Sequence, residues 1–209
     1  MAAPDPDLAA AVELRFEAVN GCGRREMTPA DDAYVSSWFT TVEALAAEAG
    51  FTPDELRRLM LAGRLPLPSY VRSDGVQMVP PDLLALIGRA GGVTELPAWF
   101  AAHWDEPTQA VEEWDAYLSG HYVCLRVVSP ENIKRKDELV RAIEAALAGA
   151  GGDRPDGLHV LVDELDELEP PFAPFDRLRF GGPVSRDRLI DDVRRDFPRR
   201  RQSAARLSS

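Results

Sequence analysis

Thr40-Thr41-Val42-Glu43-Ala44-Leu45-Ala46-Ala47-Glu48-Ala49-Gly50-Phe51-Thr52-Pro53-Asp54-Glu55-Leu56-Arg57-Arg58-Leu59-Met60-Leu61-Ala62-Gly63 is the stretch on which the fold class turns. Thr40 and Glu43 stand in capping-box spacing, so a helix is expected to start there. Val42, Leu45, Ala46 and Ala49 give it one apolar face, and Gly50 stops it. Thr52, Pro53 and Glu55 start a second helix with a cap, a proline in the first turn and another capping box. Leu56, Leu59 and Met60 supply its stripe, and Gly63 ends it. Two short helices about a tight glycine turn make a helix-turn-helix. Ser69–Arg72 and Val76–Val79 flank Ser73-Asp74-Gly75, a strong hairpin signal. Pro80-Pro81-Asp82 then opens a helix carrying Leu83, Leu84, Leu86 and Ile87.

Outward from this stretch, four sections are expected. Residues 1–25 form a flexible N-terminal segment with a short helix ending at Gly21-Cys22-Gly23. Residues 26–106 form a winged-helix-like helical portion, residues 107–197 a C-terminal helical portion, and residues 198–209 a disordered Arg-rich tail. The predicted fold is mainly α: a winged helix-turn-helix-like N-terminal portion with one β-hairpin, packed on helices. In the second portion, Val111, Trp114 and Leu118 fall at helical spacing. Ser129-Pro130-Glu131 opens a helix with Ile133, Val140, Ile143 and Leu147. Leu158, Leu161, Leu165 and Leu168 mark another, and Ser185 caps a last one. Tyr122 to Val128 reads as a short strand or as the tail of the preceding helix.

The 209 residues carry 24 basic and 35 acidic side chains, a net charge of −11. This acidity argues against general polyanion binding. No apolar run approaches the roughly 20 residues of a membrane span. Met1 to Val19 lacks the pattern of a secretion signal. Cys22 and Cys124 are far apart and suit a reducing compartment, so a cytoplasmic location is expected. His103, His121 and His159 have no ligand spacing, so no zinc site is expected. Asp163, Glu164, Asp166, Glu167 and Glu169 cluster, but the leucines between them define the buried side. A solvated acidic face is the expectation there, not a metal site. No nucleotide motif is present, and no cofactor is expected.

A DNA reader needs positive charge facing phosphate. Residues 26–106 hold 12 acidic and 5 basic side chains. Asp54 and Glu55 open the would-be recognition helix, where base contacts usually sit. Arg57, Arg58, Arg64 and Arg72 would have to share one face to compensate. DNA is therefore not the expected partner.

Two polar segments joined to apolar ones are the best places for chemistry. The first, Tyr122 to Lys136, carries Arg126, Glu131, Asn132, Lys134 and Lys136. The second, Phe172 to Asp187, is read as a packed irregular loop bearing Asp176, Arg177, Arg179 and Arg186. Arginines beside helix starts hold carboxylates and phosphates. Tyr70, Arg126, Asn132, Lys134, Arg177 and Arg186 are the candidate ligand contacts, and Glu131, Asp176 and Tyr117 the candidate acid–base groups. His121 and Cys124, three apart, would suit an activated thiol, but the apolar run Tyr-Val-Cys-Leu favours a buried, inert cysteine.

Residues 41–91 resemble the MerR-type winged helix-turn-helix. Leu65-Pro66-Leu67-Pro68-Ser69-Tyr70, Asp74-Gly75-Val76-Gln77-Met78-Val79-Pro80, Pro171-Phe172-Ala173-Pro174-Phe175-Asp176-Arg177 and Phe180-Gly181-Gly182-Pro183 resemble an uncharacterised bacterial family labelled as natural-product biosynthesis proteins. So does Asp32-Ala33-Tyr34-Val35, and the likeness spans residues 28–198. The resemblance implies a setting in specialised metabolism and assigns no catalytic residue. The expected function is an accessory protein or cofactor-independent enzyme of that metabolism. Its ligand would be a small acidic or carrier-linked molecule held between the two portions. A MerR-like transcription regulator and a protein–protein adaptor are the alternatives.

Overall fold

In the computed structural model, which describes residues 5–20, 27–149 and 156–199, the chain opens with helix α1 (Pro6–Asn20). Helix α2 (Pro29–Trp38) starts on a capping box between Thr28 and Asp31. The tandem then forms with one shift: Thr41, not Thr40, caps α3 (Val42–Ala49), its hydroxyl accepting from the Ala44 amide at 3.0 Å. An N-cap needs extended backbone. Thr41 has it as the last residue of a two-residue strand, β1 (Thr40–Thr41). Gly50, with φ at 72°, ends α3. Helix α4 (Pro53–Leu61) begins at the Thr52/Glu55 capping box, as its sequence predicts. Strands β2 (Tyr70–Val71) and β3 (Gln77–Val79) form the hairpin. β3 also takes β1 on its other edge, pairing Thr40 with Val79, so the antiparallel sheet runs β1-β3-β2.

Eight further helical elements follow. They are α5 (Leu83–Ala90), α6 (Leu96–Ala101), α7 (Pro107–Leu118), α8 (Pro130–Gly149), α9 (Leu158–Leu168) and α10 (Pro174–Arg179), then a π-turn (Asp187–Asp191) that runs into α11 (Asp192–Asp196). The described chain is thus mainly helical with one small sheet. No helix in it is long and apolar enough to cross a membrane.

Three apolar clusters form the interior. Leu45, Leu56, Leu83, Leu96 and Phe100 anchor the first, among α3 to α7. Leu139, Ile143, Leu158, Leu165 and Ile190 bind α8, α9 and the π-turn into the third. The second lies where the two portions meet: Val35, Phe39, Tyr70 and Met78 from the first portion close on Val123, Ala173 and Phe175 from the second.

The start of the chain departs from the expected separate segment. α1 packs along α4, Val12 is wholly buried, and the Gln77 side chain donates to the Ala9 carbonyl at 2.8 Å. The Gly21-Cys22-Gly23 joint and the tail beyond residue 199 lie outside the described residues. Burial of Arg57 keeps Arg57, Arg58, Arg64 and Arg72 from forming one exposed basic face. Arg57 is buried, bound to Glu43 at 2.5 Å and to Gln77 at 2.9 Å. Arg72 pairs with Asp74 at 2.7 Å, and Arg64 donates to the Thr94 carbonyl at 3.3 Å. Residues 122–128, expected as strand or helix tail, are neither. Gly120 ends the preceding turn with φ at 74°, and the chain then crosses in bends and turns. The loop expected over 172–187 contains α10.

Candidate functional site

The two segments singled out in the sequence meet around an open pocket of about 200 Å3, lined by His121, Cys124, Lys136, Phe172, Phe180, Val184 and Ser185. Local structure explains the meeting. The Arg126 amide donates to the Leu168 carbonyl at 2.8 Å, which pins the irregular 121–128 segment to the end of α9. Ser129 and Pro130 then launch α8, and Lys136 lies two turns along it. Pro170 and Pro171 prevent α9 from continuing, so the chain returns across the pocket through Phe172.

The polar end of the pocket is a chain of buried partners. Lys136 Nζ is 3.0 Å from Glu169 Oε1, and the Glu169 side chain is fully enclosed. Ser185 Oγ donates to the same Oε1 at 2.5 Å, while Oε2 has no hydrogen-bond partner. Burial works against the Lys136 charge, but the Cys124 sulfur and the Glu169 carboxylate outweigh it and raise its pKa. Lys136 is therefore an ammonium at neutral pH. His121 sits on the exposed rim with its ring edge-on to Phe180, centroids 5.2 Å apart. Partial desolvation, then the cations Arg179 and Lys136, lower its pKa and favour the neutral imidazole.

A second constellation joins the two portions. Asp176, wholly buried, accepts from the Tyr70 hydroxyl and the Ala173 amide, each at 2.8 Å. Arg179 donates to the Ser69 carbonyl at 2.8 Å and stacks near Phe16, Tyr70 and Phe180. The Phe175 amide donates to Asp31 at 3.2 Å. The Tyr34 hydroxyl is buried beside this group with no partner. Burial and Asp176 raise its pKa against the pull of Arg126, Arg186 and Arg177, so it stays protonated.

The sequence-predicted site residues fall into three places. Tyr70, Arg126, Asp176, Arg177 and Arg186 surround the junction, already partnered. Arg126 lies 4.6 Å over the Trp38 ring. Arg177 holds Asp187 through Nε at 2.9 Å, and Arg186 holds Asp166 at 2.5 Å. Glu131, Asn132 and Lys134 point elsewhere from α8. Glu131 binds Arg89 and stands 3.4 Å from His103. The Asn132 amide caps the Val127 carbonyl at 3.0 Å, and Lys134 donates to the His103 carbonyl at 2.5 Å. Tyr117 is core, stacked on Phe100 with centroids 5.2 Å apart. Ser185, expected as a helix cap, binds Glu169 instead. The acidic cluster is not a bare solvated face: Asp163 and Asp166 pair with Arg194 at 3.0 and 2.8 Å, Glu164 with Arg135 at 2.6 Å, and Glu169 is interior. Among the described residues no group of His, Cys, Asp or Glu is arranged to hold a metal.

The sequence reading places Lys136 on the first segment but not among the ligand contacts, takes Glu169 for a solvated acid and Ser185 for a helix cap, and favours an inert Cys124. One signal was available. Lys134 and Lys136 are the chain's two lysines. Two apart on a helix, they must face nearly opposite ways, so only one of them could serve a given site.

Glu131 carries a pH prediction. Partial burial raises its pKa, but its own amide, Ser129 and Arg89 outweigh this and hold it at about 2. A carboxyl held down in the fold stabilises above the unfolded value near 4.3 and loses that contribution as pH falls toward the folded value. Melting temperatures of wild type and Glu131→Gln should differ slightly at pH 6 and converge by about pH 2. The side chain is half exposed, so solvent keeps the effect small.

A family model described as a family of unknown function (DUF6058) matches residues 96–198. The DUF6058 match covers just under half of the chain. It includes both pocket segments and begins at α6, leaving α1 to α5 and the sheet outside it. No curated protein matches the chain. No solved structure matches it either.

Proposed function

We propose that this protein serves specialised metabolism as an accessory protein or cofactor-independent enzyme, and that the pocket between residues 121–136 and 172–185 takes a small acidic or carrier-linked molecule. The observation that carries the reading is the partly buried Lys136 ammonium, held by Glu169, at one end of a pocket walled by Phe172, Phe180 and Val184. An apolar wall beside a positioned ammonium suits a short acid or its thioester. The metabolic setting rests on the resemblance over residues 28–198 alone.

The order α2–β1–α3–α4–β2–β3 favours a winged-helix-like reading of the first portion. We take that portion as architecture, because α1 lies along α4 and Arg57 is engaged inside.

Binding of hexanoate and of its N-acetylcysteamine thioester, followed by ligand-observed NMR and calorimetry, tests the proposal. Lys136→Met should weaken hexanoate about 10- to 100-fold, the value of a lost charged hydrogen bond. Val184→Trp, which fills the pocket and leaves the Lys136–Glu169 pair intact, should abolish binding of both. Unchanged binding by a folded Val184→Trp protein would place the ligand elsewhere.

A further inference from the structure

We infer that Cys124 is an acyl acceptor: its thiol takes the acyl group from a thioester bound in this pocket. The inference rests on the pocket reading above and goes further in naming a covalent step. Cys124 is half-buried on the pocket wall, open to whatever occupies it. It is not alone there. Lys136, with its charge fixed by Glu169, and the rim imidazole of His121 line the same space. The remaining walls are Phe172, Phe180 and Val184, which suit an acyl tail.

A thioester is the electrophile these groups fit, since it reacts with a thiol without metal or cofactor and its leaving group is itself a thiol. The Cys124 sulfur adds to the thioester carbonyl carbon, and the thiol proton passes to the neutral ring nitrogen of His121. The carbonyl oxygen takes up negative charge, which the Lys136 ammonium offsets. The bond from carbonyl carbon to the carrier sulfur then breaks. The departing thiolate recovers the proton from His121. One carbon–sulfur bond forms and one breaks, the imidazole ends neutral, and no oxidant or reductant enters.

The test uses the full chain with Cys22→Ser, so that Cys124 is its single cysteine, and hexanoyl-N-acetylcysteamine as the probe. Intact mass and peptide mapping should show one hexanoyl group, on Cys124, released by hydroxylamine. Cys124→Ala should give no adduct yet still bind the probe reversibly by NMR. His121→Ala should slow acylation about 100-fold beyond any change in the dissociation constant of the probe. Reversible binding without any adduct on the Cys22→Ser protein would overturn the acyl-acceptor role and leave the pocket reading standing. An adduct that persists in Cys124→Ala would overturn it too. Neither binding nor adduct would overturn both.

Discussion

Asp176→Ala is expected to cost about 3–5 kcal/mol, since each of the two buried donors it leaves without an acceptor costs about 1–3 kcal/mol. The carboxylate is wholly enclosed and serves two donors from different parts of the chain, the Tyr70 hydroxyl and the Ala173 amide. Alanine would leave both donors without an acceptor and remove the negative charge that acts on Arg179. The junction cluster of Phe39, Tyr70, Val123 and Phe175 would lose its polar centre. For a chain of this size the melting temperature should fall by roughly ten degrees or more. Tyr70→Phe removes one donor and keeps the ring, so it should cost about 1 kcal/mol. A double-mutant cycle between the two positions should show strong coupling. Urea unfolding followed by circular dichroism measures all of these, and additive costs would mean that the contact does not tie the portions together.

Gly120→Ala should be nearly as damaging for a different reason. Gly120 has φ at 74°, and a Cβ there would lie 2.6 Å from the Pro68 carbonyl oxygen and 3.0 Å from that of Leu67. The left-handed conformation alone costs alanine about 1–2 kcal/mol, and the obstructing atoms are backbone. The segment cannot yield cheaply, because the Leu67 amide donates to the Leu118 carbonyl at 2.8 Å. A total above about 2 kcal/mol is expected. Gly50→Ala is the control: φ is 72°, yet no atom lies within 4 Å of the added Cβ. It should show the conformational cost only. Equal destabilisation by both would mean that the contact with residues 67 and 68 is unimportant.

The helices were legible where caps, glycines and apolar spacing agreed. Thr52, Pro53 and Glu55 fixed the start of α4, and Asp74-Gly75 fixed the hairpin. These signals are local, so they survive in a linear reading. β1 was not legible, because two threonines become a strand only when β3 offers an edge. The same limit governed the site. The stretches 122–136 and 172–187 stood out through their mixture of arginine, aromatic and proline residues, and they do meet. Which side chains face the pocket depends on the direction α8 leaves Ser129 and on where Pro170 turns the chain. Glu169 looked like one more acid in a polar run, yet it is interior because α9 ends there against Lys136. Arg177 and Arg186 looked available, yet nearby aspartates engage them.

The stretch that a family model recognises and the body that packs together are not the same length of chain. A fragment cut at residue 96 would keep both walls of the pocket but would part Asp176 from Tyr70 and strip Leu45, Leu56 and Leu83 from the cluster around Phe100. What sequence comparison delimits here is a shared signature. The packing that surrounds that signature reaches back to the opening helix, whose Val12 lies in the cluster around Phe100.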